Sequence, residues 1–254
     1  MNKLKELTSE MHGALFVKNN CPLSFASTQH LISINVTEIS KTICSLPVFF
    51  SKNPHTGNWN ICALSSLEPN YNLFIESEEW VAAYFPTSLQ TYPFYLMNSS
   101  NQKDTYTIGI DEASSAFSQT KGTKLFEIDK RPTSYLLNVK TLLEASIKND
   151  IHSYEFTNEL EKLNLFKAIN INVHYQNEMV KSHKGLHTID EDKLYSLSAE
   201  VLKELSNKGF LIPISSILTS LFQLNSLIKK HNSLEFFQKI KRIELEISRD
   251  MIAS

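Results

Sequence analysis

The residues with the clearest chemistry for contacting a ligand lie in the aromatic stretch 78–96. This stretch contains six candidate binding residues, which are Trp80, Tyr84, Pro86, Tyr92, Pro93 and Phe94. Rigid rings offer a large contact area at low entropic cost and proline fixes φ, so the stretch predicts a groove for an extended or proline-containing peptide. The same composition also fits a structural staple that holds a sheet against a helix. If the stretch is a groove, we expect the hydroxyl of Tyr84 or Tyr92 to face outward.

Two groups of carboxylates could carry acid and base chemistry. Asp111 and Glu112 come at the end of a predicted strand, and both are candidate binding residues. Paired carboxylates can divide the acid and base roles when burial or repulsion raises the pKa of one of them. Glu76, Glu78 and Glu79 are better explained as the solvated acids of a turn, because adjacent residues on a strand point to opposite faces.

The histidines and cysteines do not follow a metal or nucleophile motif. His183 and His187 are four residues apart, but Gly185 lies between them and no H-E-x-x-H pattern accompanies them. The three cysteines are widely spaced and include no C-x-x-C pair, which favours buried reduced thiols. The sequence also lacks a G-x-S-x-G motif, a P-loop and a dinucleotide glycine fingerprint. We therefore expect no metal, no cofactor and no catalytic constellation.

Composition and charge restrict the partners. A net charge of −2 creates no overall field that would attract nucleic acid or an acidic membrane. Charged residues interrupt the N-terminal segment where a secretory signal needs an apolar core, and no run of about 18 apolar residues occurs. We expect a cytoplasmic protein without membrane insertion.

Apolar periodicity predicts an α+β fold in a single domain of 254 residues. Short runs that mix β-branched and polar residues predict a β-rich lobe at 20–130, including a hairpin formed by 46–50 and 58–64. Helical stripes predict a mainly helical lobe at 131–254, which a strand pair near 166–190 interrupts.

Two further predictions concern helices of the second lobe. Residues 134–148 and 156–166 carry separate apolar stripes and predict two helices. Residues 236–247 also have apolar residues at helical spacing, which predicts a C-terminal helix. Its polar face fits a solvated surface with ion pairs, and its apolar side could bury against another chain, so homo-oligomerisation through this helix is one expectation.

The order and spacing of several motifs resemble the SapC family of bacterial proteins over roughly 21–231. The features that carry the resemblance fall on Pro47 to Phe50, Asn72, Leu73, Trp80, Tyr84, Pro86, Tyr92 to Phe94, Gly122, Leu125, Phe126, Gly185, Lys193, Leu194 and the segment to Leu227. Two departures concern arginines. The family commonly has Gly-Arg before the tryptophan, where this chain has Glu78 and Glu79, and an arginine before Tyr-Pro-Phe, where it has Gln90 and Thr91.

The resemblance implies an accessory component of a surface-layer locus and establishes no shared activity. Our first hypothesis is a non-enzymatic accessory or binding protein that recognises a peptide or protein partner linked to surface-layer or envelope biology. It predicts an open concavity beside Trp80, Tyr84 and Tyr92. Because similar proteins are associated with oxygenase and halogenase genes, the alternative is an enzyme or enzyme subunit acting with such an enzyme. That alternative predicts a pocket holding Asp111, Glu112 and one of the later histidines.

Overall fold

The computed structural model describes residues 4–99 and 105–248 of the chain. The strands in this part are β1 (Lys5–Glu6), β2 (Phe16–Val17), β3 (Leu31–Ile34), β4 (Val48–Lys52), β5 (Trp59–Leu64), β6 (Ile75–Glu76), β7 (Glu79–Trp80), β8 (Phe94–Asn98), β9 (Tyr106–Ile110), β10 (Phe117–Ser118), β11 (Thr123–Lys124), β12 (Phe166–Tyr175), β13 (Val180–Ile189) and β14 (Ile240–Ile247). The helices are α1 (Ser9–His12), α2 (Cys21–Ala26), α3 (Ile39–Thr42), α4 (Thr87–Gln90), α5 (Ser134–Lys162), α6 (Glu191–Tyr195), α7 (Ala199–Asn207), α8 (Leu211–Ser220) and α9 (Gln223–Ser233). The α+β class is confirmed.

Backbone contacts divide the chain into two compact units. The first unit is formed by Met1–Ala26 and Thr87–Lys148, and the second by Ser27–Pro86 and Asn149–Ser254. These units do not coincide with the predicted lobes at 20–130 and 131–254, because each unit takes segments from both sides of residue 131. The aromatic stretch is itself divided, with its first part in the second unit and the part from Thr87 onward in the first.

The first unit has two small antiparallel sheets around a shared apolar core. The strand orders are β1-β9-β8 and β10-β2-β11. The core takes Phe94 from β8, Ile110 from β9 and Val17 from β2. Leu136 and Leu143 of α5, which lie two helical turns apart on the same face, complete it.

The second unit is built on a six-stranded antiparallel sheet with the order β14-β12-β13-β4-β5-β3. The hairpin expected from 46–50 and 58–64 is formed by β4 and β5, which pair from Val48 opposite Ala63 to Lys52 opposite Trp59. The strand pair expected near 166–190 corresponds to β12 and β13. Strands from both halves of the sequence therefore share one sheet.

Helix α5 corrects the expectation of two helices at 134–148 and 156–166. It is a single helix of 29 residues, and no glycine or proline occurs within it. The polar residues between the two apolar stripes interrupt burial without breaking the backbone, because they retain adequate helix propensity. The helix ends where Asn164 adopts a left-handed φ of 54° and the Leu165 N–H donates to the Leu160 carbonyl.

The C-terminal stretch 236–247 was predicted as a helix, and this is wrong because Ile240–Ile247 form the edge strand β14. The β-branched isoleucines favour an extended strand, and β12 offers an edge to pair with. Asn232 fixes the entry by accepting from the Ile240 N–H at 2.7 Å and donating to its carbonyl at 2.8 Å. Within the described residues up to 248, self-association thus has no C-terminal helix to use.

The segment Leu211–Ser233 is long and apolar enough to cross a membrane by length and composition alone. In this structure it forms two consecutive helices, α8 and α9. Ile214, Ile217 and Leu227 are among its side chains buried in the second unit. Of its most apolar 18-residue window, 39% is buried inside the protein.

Candidate functional site

Trp80 lies on the small hairpin formed by β6 and β7, and its side chain packs against neighbouring residues of the second unit. Its indole Nε1 donates to the Tyr84 carbonyl at 2.9 Å. Its ring lies 5.1 Å from the ring of Phe85 and 6.2 Å from that of Phe74. The polar end of the indole and its ring are therefore both in contact with residues of the second unit.

Tyr84 is also held from within the second unit. Its hydroxyl donates to Glu38 Oε1 at 2.7 Å, and the Lys41 ammonium lies 5.2 Å from its ring centroid. Glu38 is buried and also accepts from the Asn35 N–H, so the hydroxyl helps to satisfy a buried carboxylate. Pro86 is buried as well. The Tyr84 hydroxyl therefore does not face outward as the groove hypothesis expects.

The remaining aromatic candidates belong to the first unit. The Tyr92 ring stacks on Phe25 at 4.0 Å, and its hydroxyl lies 3.3 Å from Ser114 Oγ. Pro93 is buried, and Phe94 is a core residue on β8. The packing of all three fits the structural staple that the sequence left open as the second explanation of this stretch.

The turn between β6 and β7 explains the acidic group at Glu76, Glu78 and Glu79. Ser77 and Glu78 both have positive φ, at 49° and 63°, as a two-residue hairpin turn of type I′ requires. All three acids are exposed, and Glu76 pairs with Lys230 at 2.6 Å. The glycine that the resemblance expects at position 78 is the residue that tolerates this conformation best.

We therefore predict that Glu78→Gly raises the free energy of unfolding of the second unit by about 0.5–1 kcal/mol, because glycine adopts the left-handed backbone conformation at this position without the steric cost that glutamate has. The matched control is Glu79→Gly at the next position, which lies on β7 in extended backbone. That control should lower stability by about 0.5–1 kcal/mol, since glycine in a strand loses more conformational entropy on folding. Urea unfolding of both variants measures the difference, and a destabilised Glu78→Gly variant would contradict the prediction.

Asp111 and Glu112 separate into different roles. Asp111 Oδ1 accepts from the Ala113 N–H at 3.0 Å, as a turn-forming aspartate does. Glu112 pairs with Lys5 and lies 3.0 Å from His12 Nε2. Hydrogen bonds from Lys5 and then from His12 lower the pKa of Glu112 below its usual range. Glu112 is thus an ionised tether for the N-terminal segment.

His12 has no ring nitrogen left for proton transfer to a substrate. It is buried, Nε2 contacts Glu112, and Nδ1 lies 3.1 Å from the Thr8 N–H. The Glu112 carboxylate only accepts, so Nε2 carries a proton and donates to it, whereas Nδ1 lies within reach of both the Thr8 N–H and, at 3.2 Å, the Thr8 carbonyl oxygen. Asp111 and Glu112 belong to the first unit, and the later histidines His174, His183 and His187 belong to the second.

His183 and His187, which invited a metal interpretation, lie at separate positions of the six-stranded sheet. His187 pairs with Ala168 and His183 pairs with Ile171, across a register shift in β13. Ala168 and Ile171 are three apart on one strand, so their partners lie on opposite faces of the sheet. Among residues 4–99 and 105–248, no three or more His, Cys, Asp or Glu side chains are grouped as metal ligands.

Cys44 is exposed, so the expectation of a buried thiol is wrong for it, whereas the buried Cys21 and Cys62 are poor nucleophiles. Burial raises the pKa of the Cys21 thiol to about 11 and that of Cys62 to about 12. Only the thiolate attacks or binds metal, so both side chains are unreactive near neutral pH.

A concavity of about 190 Å³ lies in the first unit between the β8–β9 hairpin and the start of α5. We call it the β8–α5 groove. Its lining residues are Leu7, Leu96, Tyr106, Thr107, Ile108, Phe126, Pro132, Leu136, Leu137, Lys140, Leu143 and Glu144. None of the eight predicted site residues lines it, although Phe94 lies two residues before Leu96 on β8 and shares its strand face.

The groove has an apolar base and an amphipathic rim. Leu7, Phe126 and Leu136 are buried at its base, whereas Tyr106 is 58% exposed and Leu137 is 49% exposed at the rim. An exposed leucine and tyrosine bordering a hollow are more informative than a single exposed apolar residue, because a contiguous patch marks interaction surfaces. The arrangement can take up a large apolar side chain.

Charge at the rim is available to a ligand. Lys140 Nζ lies 3.7 Å from Glu144 Oε1, one turn apart on α5, and both side chains are more than half exposed. Such exposed pairs contribute about 0.3–0.5 kcal/mol and exchange readily for other partners. The rim therefore offers one cation and one anion beside the apolar base.

A second hollow, in the second unit, is lined by more charged residues. Its lining includes His152, Glu155, Glu159, Lys162 and Lys208, and its volume is about 400 Å³. Two of these charges pair with each other, since Lys208 Nζ lies 2.9 Å from Glu159 Oε2. Hydrogen bonding by Glu159 raises the pKa of Lys208 accordingly. This hollow suits solvent better than an apolar ligand.

Sequence reasoning missed the groove residues, although one signal was present. The apolar stripe of α5 contains the adjacent pair Leu136 and Leu137. One helix face cannot bury both members of such a pair equally, because neighbours on a helix are about 100° apart. Leu136 is buried and Leu137 is exposed, so the excess leucine marks the rim.

A family model named SapC matches residues 7–227. The chain belongs to the SapC family. The match contains all eight predicted site residues and the whole β8–α5 groove, and it ends within α9 before β14. Neither the curated proteins nor the solved structures that were compared include a match. The edge strand β14 thus extends the SapC sheet beyond the matched residues.

Proposed function

We propose that this SapC-family chain is a non-enzymatic accessory or binding protein that recognises a peptide or protein partner through the β8–α5 groove. The observation that carries the proposal is an apolar hollow with exposed Tyr106 and Leu137 at its rim. The eight residues predicted from the sequence make the packing and turn contacts described above, and this proposal assigns the partner contact to the groove instead.

The size of the groove selects the occupant. Pockets for cofactors and drug-sized ligands hold about 300–1,000 Å³, whereas an apolar cavity of about 150 Å³ accommodates a single benzene. At about 190 Å³, the groove fits one aromatic ring or one leucine side chain. An anchoring side chain of a polypeptide has this size and remains attached to a backbone that runs across the rim.

The polar rim fits the rest of a polypeptide. Lys140 can contact a carbonyl or carboxylate of the partner, and Glu144 can accept from an N–H or a cationic side chain. Breaking their mutual pair costs little because both are exposed. With a net charge of −2, a protein partner is favoured over nucleic acid. The proposal includes a cytoplasmic location and a partner linked to surface-layer or envelope biology.

The test uses capped tripeptides, Ac-Ala-X-Ala-amide, with Phe, Leu, Lys or Asp at X. Methyl NMR shifts of Leu137 and Leu96 should respond to the Phe and Leu peptides with dissociation constants of about 1 mM, as expected for one anchor. The Lys and Asp peptides should bind at least tenfold more weakly. Equal responses to all four peptides, or shifts confined to other surfaces, would contradict the proposal.

We predict that Leu137→Glu weakens this binding at least tenfold, because it replaces an apolar side chain at the rim of the groove with a charge that must be desolvated. Ile151→Glu is the matched control, since Ile151 is a similarly exposed apolar residue on the same helix outside the groove. Both variants should fold as the wild type does, and only Leu137→Glu should lose the response to the Phe peptide by at least tenfold. An unchanged Leu137→Glu variant would show that the ligand binds elsewhere.

A further inference from the structure

Helix α8 of the second unit presents an unusual outer face. Its inner side is buried through Pro213, Ile214, Ile217 and Ser220. The outer face is formed by Ile212, Ser215 and Thr219 of α8 together with Phe222, which follows in the turn between α8 and α9, and we call these four residues the α8 face. Ile212 is 70% exposed and Phe222 is 76% exposed. The spacing of three and four residues keeps Ile212, Ser215 and Thr219 on one side of α8. The Phe222 N–H donates to the Thr219 carbonyl at 3.2 Å, so Phe222 follows Thr219 by a single tight turn.

The α8 face is electrically neutral. No charged residue occurs between Lys208 and Lys229 in a chain of which 20% is charged. The Thr219 hydroxyl donates to the Ser215 carbonyl at 2.9 Å within the helix, so its donor is already satisfied. A surface of this kind loses little when it leaves water, because no charge and few hydroxyl donors must be desolvated.

The four residues are also arranged symmetrically about position 217. Reversing the helix exchanges Ile212 with Phe222 and Ser215 with Thr219. An antiparallel pair of α8 helices related by a two-fold axis therefore sets each Ile212 against Phe222 of the second copy. The small Ser215 and Thr219 fall at the centre, where the two backbones approach most closely. This self-complementarity is what an isologous contact requires.

We propose that two copies of this chain associate through the α8 face in an antiparallel, two-fold contact. Charge favours this occupant, because a neutral face can meet itself without placing like charges opposite each other. A bilayer surface would instead favour an amphipathic helix with a basic polar face, and α8 carries no basic residue. One helix pair buries less than the roughly 1,200 Å² of a standard interface, so the dimer is expected to be weak.

The register of the pair is tested by charge substitution and sedimentation velocity over about 1–500 μM, a range suited to dissociation constants from micromolar to millimolar. The wild type should change from monomer to dimer within this range. Phe222→Glu alone should weaken dimerisation at least tenfold. In Ile212→Lys/Phe222→Glu, each introduced lysine faces an introduced glutamate of the second copy, so the dimer should be restored to within about threefold.

The matched control is Ile212→Glu/Phe222→Glu, which has the same positions and sizes but places like charges together, and it should remain monomeric throughout. A second control, Ile128→Glu, alters an apolar side chain that is 98% exposed in the first unit and should dimerise as the wild type does. Circular dichroism verifies that each variant is folded. A wild type that is monomeric at the highest concentration, or equal behaviour of the two double variants, overturns the proposal.

Discussion

Replacing Phe156 with alanine is expected to lower the free energy of unfolding of the second unit by about 3–5 kcal/mol. Phe156 lies in the C-terminal half of α5 and has no exposed surface. Its ring lies 5.2 Å from that of Phe210, just before α8, and 6.2 Å from that of Phe50 on β4. Deleting it opens a cavity between a helix and the central sheet, which the surrounding rings fill only partly.

The matched control is Tyr154→Ala, two residues earlier on the same helix. Tyr154 is more than half exposed, so its removal should change stability by no more than about 0.5 kcal/mol. Urea unfolding gives the free energies, and amide hydrogen exchange in β4 locates the effect in the sheet. A loss below about 1 kcal/mol for Phe156→Ala would contradict the packing of α5 on this sheet.

The second unit is expected to lose stability as the pH falls below about 6.5, the ordinary pKa of histidine. The pKa values of His30, His183, His187 and His231 are all lowered, and burial is the main cause for each. At His183, Glu68 opposes the shift, whereas His30 and Lys181 reinforce it. All four imidazoles belong to the second unit.

His231 shows the cost of protonation most clearly. It is fully buried, and Nε2 lies 3.0 Å from the Gln238 carbonyl. A carbonyl only accepts, so Nε2 carries the proton and Nδ1 is the basic nitrogen. Nδ1 is buried and has no hydrogen-bond partner among the described residues. Protonation at acid pH would bury a positive charge on the imidazole, and the new Nδ1–H would have no acceptor for its hydrogen bond.

The sign of the pH dependence follows from the direction of these shifts. The unfolded chain binds protons at these imidazoles at a higher pH than the folded chain does, so acid favours unfolding. The full contribution to stability is present above about pH 6.5 and is lost as the pH falls towards the lowered values. Each imidazole can add at most about 1.4 kcal/mol per pH unit to the slope.

Urea unfolding at several pH values between about 5 and 8 measures this slope across the histidine range. His187→Phe is the informative variant, because it removes one titrating group and keeps an aromatic ring beside Trp59, whose ring centroid lies 4.7 Å away. Its slope below pH about 6.5 should be shallower than that of the wild type. A wild type whose stability is constant or rises between those limits as the pH falls would contradict the prediction.

Parts of the fold could be predicted because local pattern and tertiary packing agree there. The hairpin of β4 and β5 has apolar strands on both sides of a turn containing Pro54 and Gly57. The alternating burial of β12 is likewise visible in its sequence. In contrast, β14 has helical spacing but pairs with β12, because an available strand edge outweighs a local preference.

The candidate site shows the same division. Composition alone drew attention to Trp80, Tyr84 and Tyr92. Tyr84 and Tyr92 contact residues that are distant in sequence, and Trp80 donates to the carbonyl of Tyr84 across a local turn. The role of Glu112 as a tether depended on His12, which lies a hundred residues away. Contacts at such separation leave no periodicity that the sequence could reveal.

The sequence by itself determined the SapC membership, the α+β class and the turn chemistry, since ordered motifs, apolar periodicity and special backbone positions are local properties. Tertiary structure decided which rings are enclosed and which leucine borders a groove. It also decided that the aromatic stretch serves two compact units. Burial depends on which elements pack together, and the β8–α5 groove exists only because a hairpin and a helix meet.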